Sequence, residues 1–310
     1  MPAMSCSDGA DNRNSRDLDT AKELLESISP AAIRGRKLTE SQKQIMVPFL
    51  KWAGGKRWLA SGYETLFPEK FGCYFEPFLG GGAVYFHLQP QSAVLSDQNA
   101  DLVNVYWQVR SNPQGVAAAL KRHNRNHSKP YYYKERDRAH RCAHERAAQF
   151  LYLNRTCWNG LYRVNLRGEF NVPIGTKDAV LLDTDDFDAA AEVMRSAEVY
   201  IADFEVILEL SERNDFVFVD PPYITAHNFN GFVKYNEKLF GWEDQIRLKD
   251  AVVRARDRGV KVLVSNADHS SIRDLYSGVG NIISLPRRSV IAASSDFRGS
   301  TTELIIRTYD

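Results

Sequence analysis

Phe71–Asp97 reads FGCYFEPFLGGGAVYFHLQPQSAVLSD, and its reading decides the fold. Phe71–Glu76 is an apolar run bounded by turn residues, the pattern of a buried strand. Gly80, Gly81 and Gly82 follow as a turn, AVYFHL has helical spacing, and Ser92–Asp97 is a second apolar run that ends on an acid. Strand, glycine turn, helix and strand in this order make a βαβ unit with parallel strands. The rhythm continues outward. A helix is predicted from Asn99 to Arg110, and further strands at Glu198–Asp203, Asp215–Asp220 and Val260–Asn266. A closing pair at Asn281–Leu285 and Glu303–Arg307 is close enough for an antiparallel edge. The fold class is therefore α/β around a mainly parallel sheet, with ligands expected at the carboxyl ends of the strands.

Between Pro113 and Ala190 the strand rhythm stops. Helical patterns at Val116–Arg125 and Tyr133–Leu153 lead into NRTCWNGLYRVNLRGEFNVPIG, a Gly- and Asn-rich stretch that reads as an irregular loop or hairpin. Residues 46–112 and 191–310 are thus expected to form one domain, with 113–190 inserted into it. Residues 1–45 form an extension in which Asp17–Ile28 is predicted as a short amphipathic helix ending before Pro30.

The chain has 310 residues, 44% hydrophobic and 25% charged, an ordinary globular composition. No apolar run is long enough to span a bilayer, and the polar N-terminus lacks the apolar core of a secretory signal. Cys6, Cys73, Cys142 and Cys157 form no C-x-x-C pair and no zinc spacing, so they read as thiols of a cytoplasmic protein without a metal. The formal charge of +1 hides an asymmetry: Lys121–Lys177 carries 13 basic and 4 acidic residues, with Tyr131, Tyr132, Tyr133, Tyr152, Trp158 and Tyr162 among them. Charge for phosphates and rings for bases are what a nucleic-acid surface needs, although a charge run alone is more often a solvated helix face.

Three motifs carry chemistry. Asp220-Pro221-Pro222-Tyr223 follows the apolar strand FVFV, so its acid falls at the edge of the expected site. The Asp220 carboxylate and the Pro221 carbonyl offer two acceptors, and Tyr223 a flat face. Together they match an exocyclic amino group on a planar base. Glu76 and the Gly80–Gly82 turn form a second wall. The spacing GGGAVY fails the G-x-G-x-x-G dinucleotide fingerprint, so a nucleoside without a pyrophosphate fits better. Asp97 stands 15 residues after Gly82 and suits ribose hydroxyls. The third motif is Lys51-Trp52-Ala53-Gly54-Gly55-Lys56. It is no P-loop, because Arg57 replaces the Ser/Thr, and alone it reads as a solvated turn.

The order FLKWAGGK, FEPFLGGG, LSDQN, NGLYRVNLRGEFNVPIG and DPPY resembles the DNA adenine N6-methyltransferases of the Dam type, from about Phe49 to Arg307. The resemblance implies a Rossmann-like S-adenosylmethionine-dependent methyltransferase sheet with an inserted helical and hairpin domain for DNA recognition. It implies S-adenosylmethionine as cofactor, double-stranded DNA as partner, no metal, and a monomeric cytoplasmic enzyme of bacterial or phage type. Carried over by position, Trp52, Lys56, Glu76, Gly80, Gly82, Asp97 and Asp220 bind the cofactor. Asp220, Pro221 and Tyr223 are catalytic. Lys51, Trp158, Asn159, Leu161, Arg163 and Pro173 contact DNA, with GATC as the implied site. Trp158 stands where relatives commonly carry tyrosine, Lys177 replaces a family tyrosine, and Arg287-Arg288-Ser289 resembles a late family motif. The same fold also serves methyl transfer to cytosine N4, RNA adenine or protein glutamine, and DNA-binding proteins that have lost catalysis.

Overall fold

The structure, a computed structural model, describes residues 46–165, 167–224, 240–288 and 300–310. The helix expected at Asp17–Ile28, and Ser289 of the late motif, lie outside the described residues. One sheet contains β1 (Tyr74–Glu76), β2 (Ala93–Asp97), β3 (Ala197–Ile201), β4 (Phe216–Val219), β5 (Lys261–Ala267), β6 (Asn281–Arg288) and β7 (Ser300–Arg307), in the order β3-β2-β1-β4-β5-β7-β6. Strands β1 to β5 pair in parallel. β7 runs antiparallel between β5 and β6, the closing pair expected from the sequence. This is a Rossmann-like α/β sheet.

The helices are α1 (Arg57–Gly62), α2 (Ala83–Leu88), α3 (Ala100–Ser111), α4 (Pro113–Asn126), α5 (Lys129–Arg136), α6 (Ala143–Thr156), α7 (Phe187–Val193), α8 (Phe204–Glu209), α9 (Trp242–Asp257) and α10 (Ser270–Leu275). Every residue of β4 is buried, which suits a strand covered on both faces. Phe216 and Phe218 point into one core, shared with α1 to α7. Val217 and Val219 point into the other, shared with α8, α9 and α10. The alternation is that of any strand; apolar residues at both parities give the sheet two packed faces.

The helical insertion departs from the expectation in one respect. Tyr133–Leu153 is not one helix: α5 ends at Arg136 and α6 begins at Ala143. In the turn between them His140 is buried and pairs with Glu135 of α5 and, at 3.2 Å, with Glu145 of α6. The polar sequence DRAHRC resembles an exposed helix face, so apolar spacing does not mark the break. α4 starts earlier than its apolar pattern, at Pro113, because the Asn112 side chain accepts from Gly115 N at 3.1 Å. Helices α3 to α6 bury their apolar residues in the same core as the sheet. Beyond α6 the chain forms the expected hairpin, closed by antiparallel bridges Cys157–Ile174 and Val164–Phe170.

The order reverses at β1: β2 lies on one side and β4 on the other. Such a switch point opens a crevice at the carboxyl ends of the two strands. The sequence places Glu76, Asp97 and Asp220 there, at or just after the ends of β1, β2 and β4.

Candidate active site

The crevice is a cavity of about 990 Å³ whose walls come from segments far apart in sequence. Trp52 and Lys56 line it from the loop before α1. Glu76, Gly80 and Gly82 line it after β1, and Asp97 at the end of β2. Asp220, Pro221 and Tyr223 form the wall after β4, while Trp158, Leu161, Arg163 and Pro173 reach it from the hairpin. The sheet end and the hairpin therefore share one cavity. Lys51 and Asn159 are not on its wall. The Lys51 backbone is clamped by the buried Asn154, which accepts from Lys51 N at 3.0 Å and donates to Lys51 O at 2.7 Å. Its side chain is exposed, and the neighbouring Lys177, aided by partial burial, pushes the ammonium down to about 8. Asn159 holds a left-handed conformation in the turn that carries Trp158. Trp158 itself is 51% exposed, an unusual cost for a large aromatic unless another surface covers it.

On the β1–β2 side the wall is flat and acidic. The Trp52 ring stacks on Tyr162 and Phe150, with centroids 5.7 and 6.2 Å apart. Gly80 and Gly82 have positive φ angles of 45° and 63°, and a Cβ on Gly80 would lie 2.6 Å from Trp52 Cδ1. Gly80 thus makes room for the protein's own Trp52, whereas a Cβ on Gly82 would meet the Tyr106 hydroxyl at 2.9 Å. Asp97 splints this turn, accepting from Gly80 N at 3.0 Å and Asn99 N at 2.9 Å. Burial raises its carboxyl above the ordinary value, against those bonds. Glu76 is buried at the same spot and accepts from the Tyr74 hydroxyl at 2.8 Å. Burial, reinforced by the charges of Asp220 and Asp97, pushes it up to about 8 although the Tyr74 bond opposes the shift. Three carboxyl groups around one cavity favour a ligand that carries positive charge.

On the β4 side, Lys56 Nζ lies 2.9 Å from Asp220 Oδ1, 3.6 Å from Glu303 Oε2 and 2.6 Å from the Gly54 carbonyl. The Asp220 contact is a buried ion pair at hydrogen-bond distance, and it holds Oδ1 away from the cavity while the side chain as a whole remains one-fifth exposed. Burial raises the Asp220 carboxyl, while Lys56 works to keep it ionised. The Tyr223 hydroxyl meets Ser265 Oγ at 2.8 Å and donates to Glu303 Oε2 at 2.9 Å. Lys56 sits 5.0 Å over the Tyr223 ring. Glu303 and Ser265 are not marked in the sequence because each lies among other polar residues of its strand, Thr301-Thr302 before Glu303 and Asn266 after Ser265, far from every motif. Only the pairing of β5 with β7 brings them beneath Tyr223.

Among the described residues no group of three His, Cys, Asp or Glu side chains is arranged to hold a metal ion. Burial pushes the Cys157 thiol up to about 11, which leaves it a poor nucleophile near neutrality.

Residues 52–291 match the family model described as D12 class N6 adenine-specific DNA methyltransferase. The chain is 38% identical over 281 residues to the Type II methyltransferase M1.LlaDCHI of Lactococcus lactis subsp. cremoris, covering 88% of this chain and 99% of that protein. It is 33% identical over 252 residues to the DNA adenine methylase of Haemophilus influenzae, 79% of this chain and 88% of the relative. Against the DNA adenine methylase of Escherichia coli K12 the identity is 31% over 261 residues, 83% and 93% of the two chains.

Proposed function

The chain belongs to the D12 class of N6 adenine-specific DNA methyltransferases, enzymes dependent on S-adenosylmethionine, and from that premise we propose that it methylates adenine N6 in double-stranded DNA at GATC, by flipping the base into the crevice after β4. The observation that carries this reading is that Asp220, Pro221 and Tyr223 stand on one wall of the cavity, with the Asp220 side chain partly open and its buried Oδ1 held by Lys56 at 2.9 Å. An amino group held by Asp220 and the Pro221 carbonyl would fill two acceptors at once, with Tyr223 against its ring.

The cavity also suits the cofactor. Its ribose hydroxyls, its sulfonium and ammonium charges and its adenine face find counterparts in Asp97, the carboxyl cluster of Glu76 and Asp220, and Trp52. When bound, the cofactor supplies a methyl group activated by a sulfonium centre. The protein's own work lies in binding and electrostatics. Extrusion from the duplex costs a few kcal/mol and brings N6 within reach of Asp220. Two acceptors on the N6 hydrogens draw the nitrogen toward a tetrahedral form and free its lone pair. As the nitrogen gains positive charge, the fixed Asp220 carboxylate stabilises the transition state more than the ground state.

Residues 46–112 and 191–310 act as the catalytic part and 113–190 as the recognition part, in a monomer. Trp158 is exposed at the hairpin, and Arg163 donates from Nε to Asn171 Oδ1 at 2.7 Å, which fixes the plane of its guanidinium. Lys51, Asn159, Leu161 and Pro173 complete the surface, and the excess of basic residues in Lys121–Lys177 supports a duplex partner. GATC rests on the resemblance of these positions to the Dam pattern. A bidentate arginine on guanine supplies about 1–3 kcal/mol of discrimination. The test is transfer of labelled methyl from S-adenosylmethionine to two unmethylated duplexes that differ only in carrying GATC or GTTC. N6-methyladenine on the GATC duplex alone is the expected product, and equal labelling of both discards the GATC assignment.

A further inference from the structure

Glu303 does not line the cavity, yet it gathers the groups that surround the catalytic wall. Its carboxylate is buried. Oε2 accepts from the Tyr223 hydroxyl at 2.9 Å, lies 3.4 Å from Ser265 Oγ and 3.6 Å from Lys56 Nζ, and Oε1 pairs with Arg287. The strand register explains the convergence. Glu303 on β7 stands opposite Ala267 of β5 and Leu285 of β6. Ser265 and Arg287, each two residues away from those partners, are therefore its diagonal neighbours on the same face. The charges alternate in a chain of four: Arg287, Glu303, Lys56, Asp220.

We propose that Glu303 is a positioning residue for methyl transfer, sharing the Lys56 charge with Asp220 and holding the Tyr223 ring so that the exposed part of the Asp220 carboxylate stays open to the adenine amino group. The proposal rests on the reading of Asp220 as the acceptor for that group. Without a second carboxylate, the Lys56 ammonium, now shared between Asp220 Oδ1 at 2.9 Å and Glu303 Oε2 at 3.6 Å, would be free to bridge both oxygens of Asp220. Tyr223 would lose one of the two groups that fix its hydroxyl, and with it the orientation of its ring. Glu303 itself does not line the cavity, so its effect passes through these two side chains.

The charged and titratable groups facing Asp220 are Lys56 from the loop before α1, Glu76 from β1, Glu303 from β7 and Arg287 from β6, with Tyr223 from its own turn. Glu303 raises the Asp220 carboxyl and Arg287 lowers it. Removing each charge therefore moves the acid limb of kcat, where Asp220 must be ionised, in opposite directions. Glu303→Gln should lower kcat about tenfold or more, at the modest end of what misplacing a reacting group costs, and shift the acid limb to lower pH. KM for cofactor and DNA should change by less than kcat falls, since Glu303 does not itself line the cavity. Glu303→Asp, which keeps the charge, should leave the limb in place. Arg287→Gln should shift the limb to higher pH, and it carries the test if Glu303→Gln does not fold.

A wild-type kcat in Glu303→Gln, or a loss of kcat with the acid limb unmoved in both variants, overturns the proposal. Asp220→Asn, assayed alongside, separates the two readings. Normal turnover by Asp220→Asn defeats the acceptor role itself. An inactive Asp220→Asn beside an unimpaired Glu303→Gln defeats only the role of Glu303.

Discussion

Glu76 shows how a single side chain can carry the electrostatic state of a cavity. Burial holds it near 8, against about 4.5 for an ordinary glutamate, so the folded protein binds a proton there that the unfolded chain releases. The sign follows from linkage: the stability associated with this group is complete below about pH 4.5 and is lost as pH rises toward 8. Glu76→Gln removes the ionisation but keeps an acceptor for the Tyr74 hydroxyl. Its stabilisation of the cofactor-free protein should therefore be small at pH 5 and grow to a few kcal/mol, on the order of magnitude, at pH 8. Thermal unfolding of variant and parent at the two pH values measures this. An equal difference at both contradicts it. At this scale the sequence was informative about which acids meet, because each ends a strand on the same side of the sheet. It was silent about their protonation, which depends on the solvent that the packed walls exclude.

Among the elements, α6 does more than cover the sheet. Arg155, near its end, donates to both oxygens of Asp185 at 2.7 Å, to the Val180 carbonyl at 2.8 Å and to the Phe49 carbonyl at 2.9 Å. One buried guanidinium thus joins the helix, the segment after the hairpin and the strand-like approach to Trp52. Arg155→Ala strips the largely buried Asp185 side chain of its counter-ion and leaves it only the Leu182 N–H at 2.9 Å, which should cost about 3–5 kcal/mol. Urea unfolding should show the loss as a lower midpoint with an unchanged slope, and a loss below about 1 kcal/mol would contradict it. Element positions were legible where apolar runs alternated with glycine and acid. Even the antiparallel β6–β7 pair followed from the short spacing of two runs. The break between α5 and α6 was not legible, since His140 reads as a surface residue until Glu135 and Glu145 are seen around it.

For the whole molecule, the sheet order brings together segments from Trp52 to Tyr223, and β7 supplies Glu303 from near the end of the chain. The motif residues could be picked out one by one because each stands at a strand end or a glycine turn, where backbone geometry limits the choice. Their supporting shell, Ser265, Glu303, Tyr162 and Phe150, depends on strand pairing and on the seating of the hairpin, which no local pattern encodes. The chain's family membership makes the reaction class plain; the roles of individual residues rest on the geometry of the β1–β4 crevice. The most direct test is single-turnover methyl transfer by the wild type and Asp220→Asn on one unmethylated duplex, with cofactor and DNA saturating and cofactor binding measured in parallel. The account predicts that the variant still binds labelled S-adenosylmethionine but forms N6-methyladenine about 10²-fold more slowly or worse, the loss expected when a charge fixed for the transition state is removed. Transfer at the wild-type rate would contradict it.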